Sequence, residues 1–112
     1  MYRKTQLDLN KEEDQLFFRD VMEKYKYNDT FRCSVPIKMK NHYHKDDEVR
    51  YFLSGEAKFF VGEETIECKP GTLIEIGKGV VHSFEYNGVG GKLEVRRCFE
   101  NEAEYQEYYI QD

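Results

Sequence analysis

The chain has 112 residues, enough for one hydrophobic core and too few for two. Acidic residues outnumber basic ones by 22 to 17, and the resulting charge of -5 argues against nucleic-acid binding, because phosphate recognition needs a basic face. No apolar run reaches the ~20 residues of a membrane span, nor the makeup of a signal peptide, so a cytoplasmic protein with no membrane partner is expected.

Residues 1–112 read as a single domain: a helical N-terminal segment over 1–29, a β-barrel over 30–100 and a tail over 101–112. Asn10 followed by Glu13 is a helix-start signal, and Phe17, Val21 and Tyr25 recur at four-residue spacing beside Phe18 and Met22. This pattern predicts an amphipathic helix from Lys11 to about Lys26, lying on the outside of the main body. From Thr30 the texture changes to short runs of Phe, Tyr, Val and Ile broken by Gly, Pro and Asn. Strands are expected over Val49–Leu53, Ala57–Val61, Thr65–Cys68, Leu73–Ile76, Val81–Tyr86 and Leu93–Phe99. Turns fall at Gly62-Glu63, at Lys69-Pro70-Gly71 and across Asn87 to Gly91. Closely spaced strands without intervening helices indicate an all-β antiparallel sandwich or barrel with a minor N-terminal helix. The tail, with Tyr105, Tyr108 and Tyr109 among acids, fits a short helix or an edge strand that covers a barrel end or forms a dimer contact.

Three cysteines, Cys33, Cys68 and Cys98, are widely spaced and odd in number, so they read as small buried residues rather than a disulfide framework. Lys38, Lys40 and Lys45 form a short basic cluster that reads as solvated surface.

All three histidines fall in one spacing: His42-x-His44-x3-Glu48-x6-Gly55, then Gly71-x5-Gly77-x-Gly79-x2-His82. Alternate residues of an extended strand share a face, so His42 and His44 can converge on one ion. A late histidine returned by the fold, His82, and the carboxylate of Glu48 would complete a set suited to a divalent first-row metal. By itself His-x-His is a weak signal; the company of Glu48, the glycines and His82 is what makes it specific.

This two-part spacing resembles the signature of the cupin superfamily. Within it, the run His44-Lys-Asp-Asp-Glu48-Val-Arg50-Tyr-Phe-Leu-Ser-Gly55, followed by Phe59, is similar to the acireductone dioxygenases, and Arg97-Cys-Phe99 is a weaker echo. The resemblance implies a double-stranded β-helix, or jelly-roll barrel, with a metal held by His42, His44, Glu48 and His82. It also implies that Arg50 faces the substrate and that Phe59 and Phe84 line the pocket; Phe52 shares the strand face of Glu48 and Arg50. The implied reaction is oxygen-dependent cleavage of an enediol, with Fe(II) the expected ion and Ni(II), Mn(II), Co(II) or Zn(II) as alternatives. The partners expected are therefore a small molecule and O2, and a homodimer is expected.

Three imidazoles and a carboxylate would leave two positions on a six-coordinate ion for a chelating enediolate. Buried Arg50 should meet either that substrate or an internal carboxylate. Arg97 shares strand parity with Val95 and Phe99 and is a second inward candidate, with a surface pair to Glu94 or another acid as the alternative. Glu75 alternates with Ile74 and Ile76 and is expected outside; placed inside, it would be a candidate general base. Other chemistries on the same site are Lewis-acid isomerisation, cyclisation or lyase reactions on a hydroxy-carbonyl or sugar-like compound, and binding of a small molecule without turnover.

Overall fold

A computed structural model describes residues 1–101 and 107–110. In chain order the elements are β1 (Tyr2–Gln6), α1 (Glu12–Met22), β2 (Tyr27–Cys33), β3 (Ile37–Lys38), β4 (His42–Tyr43), β5 (Glu48–Ser54), β6 (Ala57–Val61), β7 (Glu64–Cys68), β8 (Thr72–Ile76), β9 (His82–Tyr86), β10 (Leu93–Phe99) and β11 (Tyr108–Tyr109). They form two antiparallel sheets packed face to face. One has the order β1-β8-β5-β10-β2; the other runs β11-β4-β9-β6-β7, with β3 also on β9. This is the expected all-β jelly roll with a minor helix.

Two apolar cores flank the five-stranded sheet. Between the sheets lie Phe52, Ile74, Ile76, Leu93 and Val95 from one side and Ala57, Phe59, Ile66, Phe84 and Tyr86 from the other. Behind the same sheet, Val49, Tyr51, Leu73 and Cys98 are covered by Phe17, Phe18, Val21 and Met22 of α1, with Phe18 edge-on to Tyr51 at 4.9 Å. The sheet is thus apolar on both faces, and the four-residue stripe of the helix supplies its cover.

The N-terminal segment differs from the sequence expectation. It is not purely helical, because β1 extends the sheet by pairing with β8, and β2 already begins at Tyr27. The helix stops at Met22, where the chain must reverse to enter β2, instead of running to Lys26. Asn10 does not cap it: the N-cap is Lys11, and the approach is organised by Asp8, whose Oδ1 accepts the Asn10 N–H while its own N–H donates to Asp14 Oδ2. Glu12, Glu13 and Asp14 in the first turn complement the helix dipole. Short β3 and β4 also escape the pattern, since two-residue strands carry no periodicity. Cys68 and Cys98 are buried as expected, whereas Cys33 is half-buried with its thiol on the Val35 carbonyl. In the tail, Tyr108 and Tyr109 form an edge strand on β4; Tyr105 lies outside the described residues. Among the described residues no helix is long and apolar enough to cross a membrane.

Two glycines are structurally required. Gly55, at φ +78° in the turn after β5, would place a Cβ 2.8 Å from the Leu93 Cα; Gly71, at φ +92°, would place one 2.4 Å from the Leu7 carbonyl oxygen.

Candidate metal centre

The six-stranded sheet brings the histidines together. His42 opens β4 and is the direct cross-strand partner of His82, which opens β9. His44 follows two residues after His42 and points to the same side. One nitrogen from each ring lies within 4.8 Å of the other two, and all three side chains are buried.

Backbone carbonyls set the orientation of two of these rings. His42 Nδ1 lies 2.8 Å from the Lys40 carbonyl and His82 Nδ1 2.9 Å from that of Val80. A carbonyl can only accept, so each Nδ1 carries the proton and each Nε2 presents a lone pair to the interior. That is the tautomer a metal ligand needs, fixed by an outer hydrogen bond. Phe59 stacks on His82 with centroids 5.3 Å apart, and Phe99 meets His44 edge-on at 5.0 Å.

Glu48 reaches the cluster from the opposite sheet. Its Oε2 is 3.2 Å from His44 Nε2 and its Oε1 is 3.2 Å from His82 Nε2, while Arg50 Nη2 stands 3.4 Å from Oε1. Despite these distances, none of the three contacts is a hydrogen bond. His42 Nε2, His82 Nε2, both Glu48 oxygens and Arg50 Nε are buried without a hydrogen-bond partner among the described residues. Burial alone would raise the Glu48 carboxyl, but the neighbouring Arg50 guanidinium holds it down, to about 2, so it is an anion. Burial lowers His42 below its ordinary value and keeps it neutral. Three convergent imidazoles, an ionised carboxylate and several buried polar atoms without partners are the donor set of a divalent cation. The residues fit such an ion.

The remaining candidates fall around this cluster. Arg50 and Phe52 follow Glu48 on the inner face of β5, and Arg50 does meet an internal carboxylate while keeping its Nε unengaged. Phe84 stacks on Phe59 and packs edge-on against Phe31, deeper in the barrel with Phe52. Arg97 lies opposite Arg50 in the β10–β5 register and shares its face, yet its guanidinium is clamped by Asp29, Nε to Oδ1 at 2.8 Å and Nη2 to Oδ2 at 2.5 Å. Its acidic partner is therefore Asp29 and not Glu94. Glu75 points away from the interior, bound by Arg3 at 2.7 Å, because Ile74 and Ile76 face inward. Tyr109, whose ring lies 5.7 Å from that of His42, belongs to the site's surroundings; the sequence offered it as part of an edge strand or short helix but not as a neighbour of His42, which depends on β11 returning to β4. Together with Lys38, Lys40, Asn41, Ser83 and Ile110 it lines an open groove of about 960 Å³ beside the histidine strand.

Comparison with known proteins bears on the family and the fold. Residues 34–95 match the cupin domain family model. The chain is 25% identical over 83 residues to an acireductone dioxygenase of Candida albicans, covering 70% of this chain and 47% of that protein. It is 41% identical over 51 residues to an acireductone dioxygenase of Xylella fastidiosa, covering 42% of this chain and 27% of that one. The chain thus spans about half the length, or less, of these curated relatives. Among solved structures, acireductone dioxygenase from Bacillus anthracis with a cadmium ion in its active centre superposes with a TM-score of 0.70 at 18% identity, over 96% of this chain and 83% of that one. A DMSP lyase from Ruegeria pomeroyi superposes with a TM-score of 0.65 at 16% identity, over 78% and 44%. At such identities the structural likeness shows the fold.

Proposed function

We propose that this chain, which belongs to the cupin family, is a metal-dependent dioxygenase acting on a small enediol or β-dicarbonyl, with a divalent ion held by His42, His44, His82 and Glu48. The observation that carries the reading is the tautomer-fixed, buried pair His42 and His82, whose Nε2 lone pairs face His44 and an ionised Glu48 without hydrogen-bond partners of their own. Leaving so many buried polar atoms unsatisfied costs about 1–3 kcal/mol each unless a bound group engages them. The acireductone dioxygenase relatives support the choice of reaction class.

When bound, the ion supplies Lewis acidity and, as Fe(II), one-electron chemistry with O2. The chain's own residues do the rest. Glu48 remains ionised and offsets part of the ion's charge, leaving a net positive site that favours an enediolate. Arg50 offers its unengaged Nε–H to an oxyanion beside Glu48, and Phe52, Phe59 and Phe84 make the adjoining wall apolar, strengthening those charge interactions. Arg97, clamped by Asp29, extends the cationic row along the same face. In this proposal the working ion is Fe(II), the site takes a small molecule and O2, and the protein acts as a cytoplasmic homodimer, an assembly that light scattering tests.

Anaerobic reconstitution with Fe(II), followed by oxygen-electrode assays on a panel of enediols and β-dicarbonyls, tests the reading, with His82→Ala as control. Oxygen uptake that needs both metal and His82 is expected. No uptake with Fe(II), Ni(II) or Mn(II) protein would sink it. In a second reading the same ion acts as a Lewis acid only; full turnover under argon or with Zn(II) would select it.

A further inference from the structure

The proposed ligands come from two separate stretches, 42–48 and 82, and something must hold these in register. Asp47, immediately before Glu48, turns its carboxylate away from the cluster. Its Oδ1 accepts the Lys78 backbone N–H at 2.8 Å, and its Oδ2 takes Lys24 Nζ at 2.6 Å. Lys78 sits in the turn that delivers His82. That turn is closed by the Val80 N–H on the Gly77 carbonyl at 3.2 Å and tied to the first stretch by the Gly79 N–H on the His44 carbonyl at 2.8 Å. The carbonyl of Val80 in turn accepts from His82 Nδ1. A hydrogen-bonded path therefore runs from the Asp47 carboxylate through the 77–80 turn to the His82 ring.

The anchor of this path lies outside the cluster. Lys24, at the exit of α1, bridges Asp47 and Glu100 at 2.6 and 3.0 Å. The neighbouring Asp46 accepts the Asp47 N–H on Oδ1, at 2.9 Å, and both the backbone and side-chain nitrogens of Asn101 on Oδ2, at 2.9 and 3.0 Å. Three segments thus converge on two adjacent aspartates.

We propose that Asp47 is a positioning residue for the metal centre: held by Lys24, it fixes the 77–80 turn and through Val80 sets the direction of the His82 ring. This rests on the reading of His82 as a metal ligand. Outer partners that orient ligating histidines typically change metal affinity by about 10–100-fold. Asp47→Ala is accordingly expected to lose Co(II) to a competing chelator with about tenfold lower affinity and a shifted visible Co(II) spectrum, measured well below its unfolding midpoint. Asp47→Asn keeps an oxygen for the Lys78 N–H and is expected to return to within about threefold of the parent protein. Lys24→Met leaves the loop intact and should weaken Co(II) by about two- to fivefold, carrying the test if Asp47→Ala does not fold. A purely structural role would lower the unfolding midpoint and leave the affinity and spectrum of the folded protein unchanged. Unchanged affinity and spectrum in Asp47→Ala, or in Lys24→Met where that variant carries the test, overturn the proposal. Failure of the parent protein itself to bind Co(II), alongside His82→Ala, would remove the metal reading and the positioning role with it.

Discussion

Arg50→Met makes opposite changes to the metal-free protein and to the metal complex. Arg50 and Glu48 are almost fully buried, with Nη2 and Oε1 3.4 Å apart. With an effective dielectric constant of about 20, their gross attraction is about 5 kcal/mol. Removing one partner of a buried pair leaves the other charge uncompensated and typically costs about 3–5 kcal/mol. Methionine matches much of the lost volume, so the penalty in the metal-free protein should fall in this range and not add a large cavity cost. A divalent ion at the histidines would compensate Glu48 in place of the guanidinium, and would no longer be repelled by it. The penalty should therefore shrink by at least about 1.4 kcal/mol when the protein is saturated with Zn(II), and the variant should bind Zn(II) about tenfold more tightly, because the two differences are linked. Urea unfolding with chelator and with excess Zn(II), compared for parent and variant, measures both. An equal penalty in the two conditions would refute the placement of an ion against Glu48.

Four further outcomes follow from the same geometry. His82→Ala should abolish the stabilisation by metal, which in the parent amounts to about 2.7 kcal/mol at one hundred times the dissociation constant and is read in urea unfolding; a variant stabilised as much as the parent would place the ion elsewhere. Phe59→Ala removes a ring that is 1% exposed and stacks on both His82 and Phe84, so a loss of about 3–5 kcal/mol in urea unfolding is expected. Gly71→Ala combines positive φ with a 2.4 Å clash against the Leu7 carbonyl, so it should destabilise by more than about 1 kcal/mol and loosen the β7–β8 turn, read as faster amide exchange at Leu7 and Gly71. Acid should destabilise the metal-free protein in two stages. His42 is lowered in the folded state, so the unfolded chain takes up the extra proton and stability starts to fall below about pH 6.5; Glu48, held near 2, then withdraws its contribution between about 4.5 and 2. Glu48→Gln should flatten the lower stage, as followed by urea midpoints across pH.

Legibility in the sequence tracked the length and periodicity of each element. Six strands from Val49 onward were readable because each runs for several residues of apolar, β-branched or aromatic character between turn residues, and the structure places them within a residue of the expected limits. Strand β1 was lost because Tyr-Arg-Lys-Thr-Gln is mostly polar: its outward positions, such as Arg3, pair with charges. Strand β2 was lost for a related reason, as Asn28, Asp29 and Arg32 serve β10 residues across the ladder and break the apolar pattern. The histidine convergence was legible because strand parity and a fixed spacing encode it locally. Asp29 and Asp47 were not, since each reaches its place only through a long-range contact that no local pattern records; for Tyr109 the edge strand was legible and its place beside His42 was not.

Strand β5 shows why the site could be found from the sequence. An alternating strand is ordinarily polar toward water and apolar toward the core. Here Glu48, Arg50 and Phe52 face between the sheets, while Val49 and Tyr51 face the helix, and all five are buried. Both sides of this strand are interior, so its polar members are the ones turned toward the histidines. An ionised carboxylate and a guanidinium in such a place stabilise each other at 3.4 Å, and a cation held by the imidazoles would stabilise the carboxylate further. The helix is therefore part of the site's construction. By covering Val49, Tyr51 and Leu73 it keeps the outer face of the sheet dry, and any slip of β5 by one residue would carry Glu48 and Arg50 under Phe18, where neither has a partner. The register of the charged pair and the packing of the helix enforce each other. Phe18→Ala should accordingly reduce stability by about 3–5 kcal/mol while leaving the metal affinity of the folded protein unchanged; a loss of affinity in proportion would show that β5 is held in register less firmly than its double burial implies.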